Sequence, residues 1–399
     1  MALRKGHVII GANFGDEGKG LLTDYLVSQL QGSEALVVRF NGGANAGHTV
    51  VTPEGKRHVF RHFSAGTFQN ARTYLSRHVV CNPVLFLQEL ETLMDSGVRL
   101  KIFAHPECLI TTPFDMAINQ MIETSRGASR HGSTGMGLNE TIHRSQHPRH
   151  AIRLEHLDEP DALMFRLIAI REEYIPRRVS ELGLHIDADL SKLNELDSLE
   201  KFAKECRIFN SMVEPADDRI IRKFEPVIFE GSAGLLLDQS HHWRPHVTRS
   251  STGLRNALEV ASKASLGNLD AFYVTRGYMT RHGAGPFPTE MPLNEMYPDI
   301  EDATNVENPY QGPLRFGLLT LDLLRSSVHT DLRQAKDVKV APSIVVTCLD
   351  QLDRKVRFHR DGVSKQTGVD EFLDQVGKHT GINVAFTSHG PRRTDVRKI

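Results

Sequence analysis

The stretch His7-Val8-Ile9-Ile10-Gly11-Ala12-Asn13-Phe14-Gly15-Asp16-Glu17-Gly18-Lys19-Gly20 decides the reading of the fold. Residues 7 to 10 form a short apolar strand, and Leu21, Leu22, Tyr25, Leu26 and Leu30 then recur as one face of a helix. The glycines between them lie in a strand-to-helix turn. There, unhindered backbone N–H groups, the positive end of the helix dipole and the Lys19 ammonium can all face an anion. By mechanism this is a nucleotide-binding loop, with one departure from the usual P-loop: that pattern has Gly where Asn13 stands and Ser or Thr where Gly20 stands. The hydroxyl ligand for magnesium is therefore missing. Asp16 is the candidate replacement, since a hard cation shared with phosphates needs only one or two protein oxygens. A glycine-rich turn with a solvated lysine is the competing reading of such a loop taken alone. A second strand, Ala35 to Phe40, weighs against it, because it delivers another glycine-rich turn, Asn41-Gly42-Gly43-Ala44-Asn45-Ala46-Gly47-His48-Thr49, ending in a histidine.

The rest of the chain fits small-molecule chemistry. Its 399 residues can bury a sizeable core in one large α/β domain or two smaller ones. Lys+Arg 48 against Asp+Glu 49 leaves almost no net charge, which argues against nucleic acid or an anionic membrane as the main partner. No apolar run approaches the ~20 residues of a membrane helix, and Met1 to Gly6 lacks the apolar core of a signal peptide. Cys81, Cys108, Cys206 and Cys348 are far apart with no CxxC, so neither a zinc site nor a disulfide framework is expected. A reducing cytoplasm is the expected location.

Strands and helices alternate along the chain. Arg57 to Phe60 and Thr73 to Val80 read as strands, Pro83 to Met94 as a helix and Val98 to Phe103 as a strand. Val227 to Phe229, Ile344 to Thr347 and Val384 to Thr387 each run into a polar turn. The pattern predicts an α/β fold with a mostly parallel, twisted sheet, helices on both faces, a P-loop-NTPase-like core and ligands at the carboxyl ends of the strands. Residues 107–226 read as a largely helical insertion capping the sheet, with Asp161 to Tyr174 and Leu199 to Val213 its clearest helices. A single domain over 1–399 is expected, since no repeat or low-complexity linker appears.

Together, Gly15-Asp-Glu-Gly-Lys-Gly20 and Asn45-Ala-Gly-His-Thr49 resemble the adenylosuccinate synthetase family, whose enzymes join aspartate to C6 of a purine nucleotide. Further matches extend to about residue 394. The resemblance implies Asp16 and His48 as the catalytic pair, Mg2+ held by Asp16 and the Gly47 carbonyl, and donor phosphates on Gly15, Glu17, Gly18, Lys19, Gly20, Gly47, His48 and Thr49. It also places Asp24, Asn45 and Ala46 with the substrate. Ser133-Thr134-Gly-Met-Gly137 resembles the family's nucleotide-phosphate loop. Arg149, which alone would read as part of a solvated basic face, matches a residue that reaches the monophosphate of the neighbouring subunit, implying a homodimer. Thr248 matches a phosphate-binding hydroxyl, though by itself it reads equally as a turn residue. Arg281-His-Gly-Ala-Gly-Pro-Phe-Pro-Thr-Glu290 is nearly the family's own sequence.

Three departures bear on specificity. Ala233, beside Gly234 in Glu230-Gly-Ser-Ala-Gly234, stands where the family normally has a Gln that bonds the reacting edge of hypoxanthine. In the aspartate loop, Thr304 to Gly317, most relatives carry several arginines and this chain keeps only Arg315, which can still hold a carboxylate bidentately. Cys348, before Asp350, replaces the Lys that packs on guanine in GTP-using relatives, which weakens the case for GTP and favours ATP or dATP. Ser388, Gly390 and Pro391 are expected across that base.

In the implied mechanism Asp16 removes the N1 proton, O6 attacks the γ-phosphate and His48 donates a hydrogen bond to the oxygen. Aspartate then displaces phosphate. The substrate is IMP in cellular relatives, while the departures look more like a phage branch that converts GMP or dGMP to the 2-amino-succinyl adenylate. Typical members of that branch lack the acid at position 16, which this chain retains. The expectation is therefore a ligase favouring GMP or dGMP, with host cytoplasm as its location if phage-encoded. IMP with GTP or ATP is the alternative, and a nucleotide-binding regulator without turnover the alternative of another class.

Overall fold

Val8, Ile9 and Ile10 are wholly buried, as expected of a strand covered on both faces. In the computed structural model, which describes residues 4–30, 34–297, 300, 308–352 and 355–399, they lie in strand Arg4–Gly11 at the middle of a ten-stranded sheet. The order across that sheet is Val396–Lys398, Val384–Ser388, Lys339–Thr347, Leu266–Arg276, Arg4–Gly11, Val227–Glu230, Leu36–Arg39, Arg72–Leu75, Ile102–Ala104 and Glu214–Pro215. Every pairing is parallel except that of Val396–Lys398 with Val384–Ser388.

Alternation of side chains sorts the strands' two faces. Ile9, Val37, Ile228 and Val274 pack with Leu22, Leu26 and Val27 of helix Lys19–Gln29. Val8, Ile10, Val38, Phe229 and Tyr273 point the other way, against helices Leu254–Lys263 and Leu321–Leu332. Both faces are thus sealed by helices, and the strands' carboxyl ends are the open edge.

Helices between residues 107 and 226 build a separate core with Pro83–Met94, and the chain re-enters the sheet at edge strand Glu214–Pro215. Their position walls the open edge laterally. The expected helix from Asp161 to Tyr174 is helix Pro160–Ala169 followed by a wide π turn, Ile170–Tyr174, and helix Ile175–Glu181. Pro176 explains the widening, since it has no N–H for the carbonyl four residues back. Thr73 to Val80 is two strands, Arg72–Leu75 and Val80–Cys81, parted by a turn closed by Val79 N–H on the Ser76 carbonyl. A second, four-stranded sheet contains Tyr278–Arg281, Arg315–Thr320, Lys355–Arg360 and Val363–Gly368. Among the described residues no helix is long and apolar enough to cross a membrane.

Candidate active site

The first turn leaves strand Arg4–Gly11 and curls around an internal carboxylate. Glu17, buried, accepts N–H groups from Asn13 at 3.1 Å and Gly15 at 2.7 Å, and its other oxygen holds the buried Lys19 ammonium at 2.6 Å. Gly11 and Gly234 make room for it: a Cβ on either would lie 2.3 Å and 2.8 Å from the Glu17 oxygens. The expected convergence of backbone N–H groups and Lys19 on an anion is therefore present, with Glu17 as that anion. The Glu17 side chain, with three donors on its carboxylate, is the pin of the loop, which leaves only the main chain of this residue for the donor phosphates expected there. Thr347 closes the turn from the next strand but one, donating its hydroxyl to the Glu17 carbonyl at 2.6 Å, with Gly18 packed against its side chain.

Asp16 stands out from this loop. Its φ is 61°, a left-handed conformation that costs a non-glycine residue strain, and its side chain is 30% exposed. His282 lies 2.8 Å from Oδ2, and Arg276 Nε donates to the Asp16 carbonyl at 2.6 Å. Desolvation raises the Asp16 pKa, but the hydrogen bond and charge of His282, with Arg276 and Lys19, outweigh it and hold the carboxyl at about 2.

The second turn delivers His48, only 5% exposed, at the start of strand His48–Val51. Its Nδ1 is 2.8 Å from Oε1 of the fully buried Glu230, whose other oxygen faces Arg39 at 3.8 Å. Nε2 is buried with no hydrogen-bond partner among the described residues. Burial lowers the His48 pKa, against the raising effect of Glu230, so the ring is neutral near pH 7. Gly20 brings the two turns together: a Cβ there would sit 3.0 Å from the His48 Cβ and 3.1 Å from the Thr49 carbonyl oxygen. The P-loop hydroxyl is absent at this position because the histidine turn occupies its space. Asn41 ties in two more loops, donating to the Ser232 and Ser251 carbonyls and accepting the Ser232 N–H at 2.8 Å.

Beside these turns opens a cleft of about 770 Å³. Of the sequence-predicted residues, Asn45, Ser133, Thr134, Thr248 and Arg281 line it. Ala46, next to Asn45, is buried and Gly47 is exposed, and neither lines the cleft. Ala233, at φ 56°, lies against the Asp16 turn, its Cα 3.6 Å from where a Gly15 Cβ would stand. Cys348 and Asp350 follow strand Lys339–Thr347, and Gly390 and Pro391 follow its neighbour Val384–Ser388, so the expected donor-base segments are adjacent. Ser388 donates to the Gly390 carbonyl at 2.8 Å, and a Cβ on Gly390 would meet the Asp395 carboxylate at 2.4 Å.

Three expectations meet a different arrangement. Arg315, expected on the aspartate carboxylate, already grips Glu290 with two nitrogens at 2.7 and 2.5 Å and spends a third on the Gly283 and Gly285 carbonyls. Asp24, expected with the substrate, is fully buried, 2.6 Å from Gln69 Nε2 and 3.3 Å from Arg393, because its helix turns it toward the C-terminal segment. Arg149 is 57% exposed, paired with Glu173 at 2.6 Å and stacked on Phe165 outside the cleft. Arg281 lines the cleft with its guanidinium spent on the Pro286, Ala284 and His246 carbonyls and laid 4.5 Å from the Phe14 ring centre. Thr304 lies outside the described residues.

His282, Arg276 and Glu230 touch the candidate residues Asp16 and His48 in a way that residue type alone does not reveal, though His282 and Glu230 sit inside motifs already quoted. The cleft adds His131, His246, Arg178, Arg244 and Arg249. Arg178 is forked onto Glu140 at 2.9 Å. Arg249 is exposed and makes no hydrogen bond or ion pair among the described residues.

Comparison with known proteins agrees with this layout. The adenylosuccinate synthetase family profile matches residues 8–367. The adenylosuccinate synthetase of Neisseria meningitidis serogroup C (strain FAM18) is 34% identical over 298 residues, which are 73% of this chain and 66% of that protein. The Thermoplasma acidophilum enzyme of the same name is 31% identical over 333 residues, 82% of this chain and 73% of its own. The chain thus spans slightly less than two thirds of the length of the Neisseria relative. Among solved structures, fully ligated adenylosuccinate synthetase from Plasmodium falciparum has the same fold, with a TM-score of 0.73 at 20% identity over 99% of both chains. Cyanophage S-2L succinoaminodeoxyadenylate synthetase, solved with dGMP and dATP, gives 0.61 at 16% identity, covering 99% of this chain and 95% of that one.

Proposed function

The chain belongs to the adenylosuccinate synthetase family, and we propose that it is a ligase joining L-aspartate to C6 of a 6-oxopurine nucleoside monophosphate through a 6-phosphoryl intermediate. The observation that carries this reading is the meeting of two turns at Gly20, with an ionised carboxylate on one and, on the other, an imidazole whose Nε2 has no hydrogen-bond partner among the described residues. The C6 oxygen is a poor leaving group, so it has to be activated before an amine can displace it. Asp16 takes the proton from N1, O6 attacks the γ-phosphorus, and the nucleoside diphosphate leaves. His48, whose Nδ1 faces the Glu230 carboxylate, donates from Nε2 to the oxygen that gathers charge when the ring is protonated, and Glu230 stabilises that imidazolium. The aspartate amine then adds at C6, and phosphate departs with the former O6.

A carboxyl held at about 2 is always ready to accept a proton but is a weak base. Removal of the N1 proton therefore runs together with P–O bond formation rather than ahead of it. The donor set fits Mg2+: Asp16 supplies a hard anionic oxygen, and Gly47, an exposed residue, has a main-chain carbonyl to add. Such an ion, when bound, would neutralise charge on the donor phosphates. These phosphates have to share Lys19 with Glu17.

The favoured acceptor is GMP or dGMP and the favoured donor ATP or dATP. A methyl at Ala233 leaves room beside the Asp16 turn where a Gln would reach the purine edge, and Cys348 cannot pack on guanine as a Lys does. The cyanophage protein solved with dGMP and dATP is compatible with this reading through its fold. IMP is the second reading, favoured by the retained Asp16 and by the names of the relatives. Arg149, outside its own cleft, would serve a second copy in a homodimer. Phosphate release measured with ATP, aspartate and each of IMP, GMP and dGMP tests the proposal. Release with GMP or dGMP above IMP supports it, IMP alone selects the second reading, and release with none would leave a nucleotide binder.

A further inference from the structure

We propose that His282 is a positioning residue that fixes the Asp16 carboxylate for proton transfer, an inference that rests on the reading of Asp16 as the base. Residues 275 to 282 form a cradle under the first turn. Thr275 Oγ1 accepts from the Asn13 amide at 2.8 Å, Arg276 donates to the Asp16 carbonyl at 2.6 Å, and the Thr280 hydroxyl reaches the Gly15 carbonyl at 3.4 Å. The Thr275 contact holds the Asn13 side chain, and the other two fix the main chain at Gly15 and at Asp16, whose conformation is left-handed. They leave the carboxylate free to rotate about χ2.

The contact from His282 Nε2 to Oδ2, 2.8 Å long, removes that freedom. His282 also lines the cleft, so the carboxylate is clamped from the side on which the purine would lie. Oδ1 has no hydrogen-bond partner among the described residues and is left as the acceptor for N1–H. An imidazole in this place acts through Asp16 rather than on the substrate: one oxygen is occupied so that the other has a single orientation. Orientation of this kind is worth about 10- to 100-fold in rate, because small misplacements of a reacting group are costly.

The test compares wild type with His282→Ala, His282→Gln, Asp16→Asn and the double variant Asp16→Asn/His282→Ala, on whichever of IMP, GMP and dGMP turns over fastest. Gln is chosen because its amide nitrogen reaches about as far as Nε2. His282→Ala is expected to lower kcat about 10- to 100-fold while the KM for the monophosphate changes less than about threefold and the thermal midpoint holds. His282→Gln recovers most of the rate, and adding His282→Ala to Asp16→Asn costs nothing further. Unchanged kcat in His282→Ala overturns the inference, as does a loss that tracks thermal stability or that is undiminished in the Asp16→Asn background. If Asp16→Asn is itself fully active, the reading of Asp16 as the base fails and takes the inference with it. If Asp16→Asn is inactive but His282→Ala keeps the wild-type kcat, the inference alone fails. Absence of turnover with all three nucleotides overturns both.

Discussion

The transfer end of the site and the acceptor cleft are built on opposite principles. At the transfer end Glu17, Lys19, His48, Arg39 and Glu230 are all buried, and each charged group faces another at a short distance. In the cleft, the buried Arg281 and the Arg178–Glu140 fork stand beside exposed Arg249 and Arg244, and the polar lining comes from several helices and loops. Buried charges of this kind must be paired, which fixes their geometry before any ligand arrives. Exposed ones wait for a ligand to order them. On the proposed function, preorganisation for chemistry and adaptability for substrate choice occupy different walls of one site.

Substitutions can sharpen or break this contrast. Asp16→Ala at the transfer end is expected to lower kcat by about a thousand-fold, within the range of general base catalysis, with nucleotide binding by calorimetry retained. Gly20→Ser would restore the hydroxyl of an ordinary P-loop, yet its Cβ would press on His48. A kcat about 100-fold lower, with an unchanged circular dichroism spectrum, is the expected result. In the cleft, Arg249→Ala should act differently, raising the KM for the monophosphate about tenfold with kcat nearly constant, as loss of one charge-assisted hydrogen bond. If Arg249→Ala instead lowered kcat as strongly as Gly20→Ser, the two walls would not be separable.

The smallest effect concerns the frame behind both. Asp331 is buried, caps helix Leu254–Lys263 through the Leu254 N–H at 2.9 Å and accepts the Tyr273 hydroxyl at 2.9 Å. Burial raises its pKa to about 6 despite these bonds. Between the ordinary carboxylate value of about 3.9 and this one, the native state binds more protons than the unfolded chain. Its contribution to stability is therefore full below that window, falls as pH rises through it and is constant above. Asp331→Asn should abolish this slope. Thermal midpoints at pH 4.5 and pH 7 should show wild type gaining about 2 °C over the variant on acidification.

How much of this could be read beforehand follows the same contrast. The two glycine turns were legible because backbone close approach leaves its mark as glycine, at Gly11, Gly20 and Gly234, and because the strands before them are continuous apolar runs. Parallel order and the carboxyl-edge site followed. The longest sheet strand, Leu266–Arg276, is poorly marked, since Gly267, Asn268 and Asp270 interrupt its apolar pattern near its start. Partnerships were least legible. Sequence shows that Glu17, Arg315 and Asp24 carry charge, but whether that charge meets a ligand or a neighbour depends on residues up to 369 positions away, as for Asp24 and Arg393. His282 was hidden for the same reason, lying 266 residues from the carboxylate it touches.

The account turns on O6 becoming a phosphate oxygen. The direct measurement uses the acceptor nucleotide labelled with 18O at C6, supplied with ATP and aspartate, and follows the label by mass spectrometry. The account predicts that the 18O leaves in inorganic phosphate, one atom per turnover, and that this transfer is lost in Asp16→Ala. Product formation with the label released as water, or undiminished transfer in that variant, would contradict it.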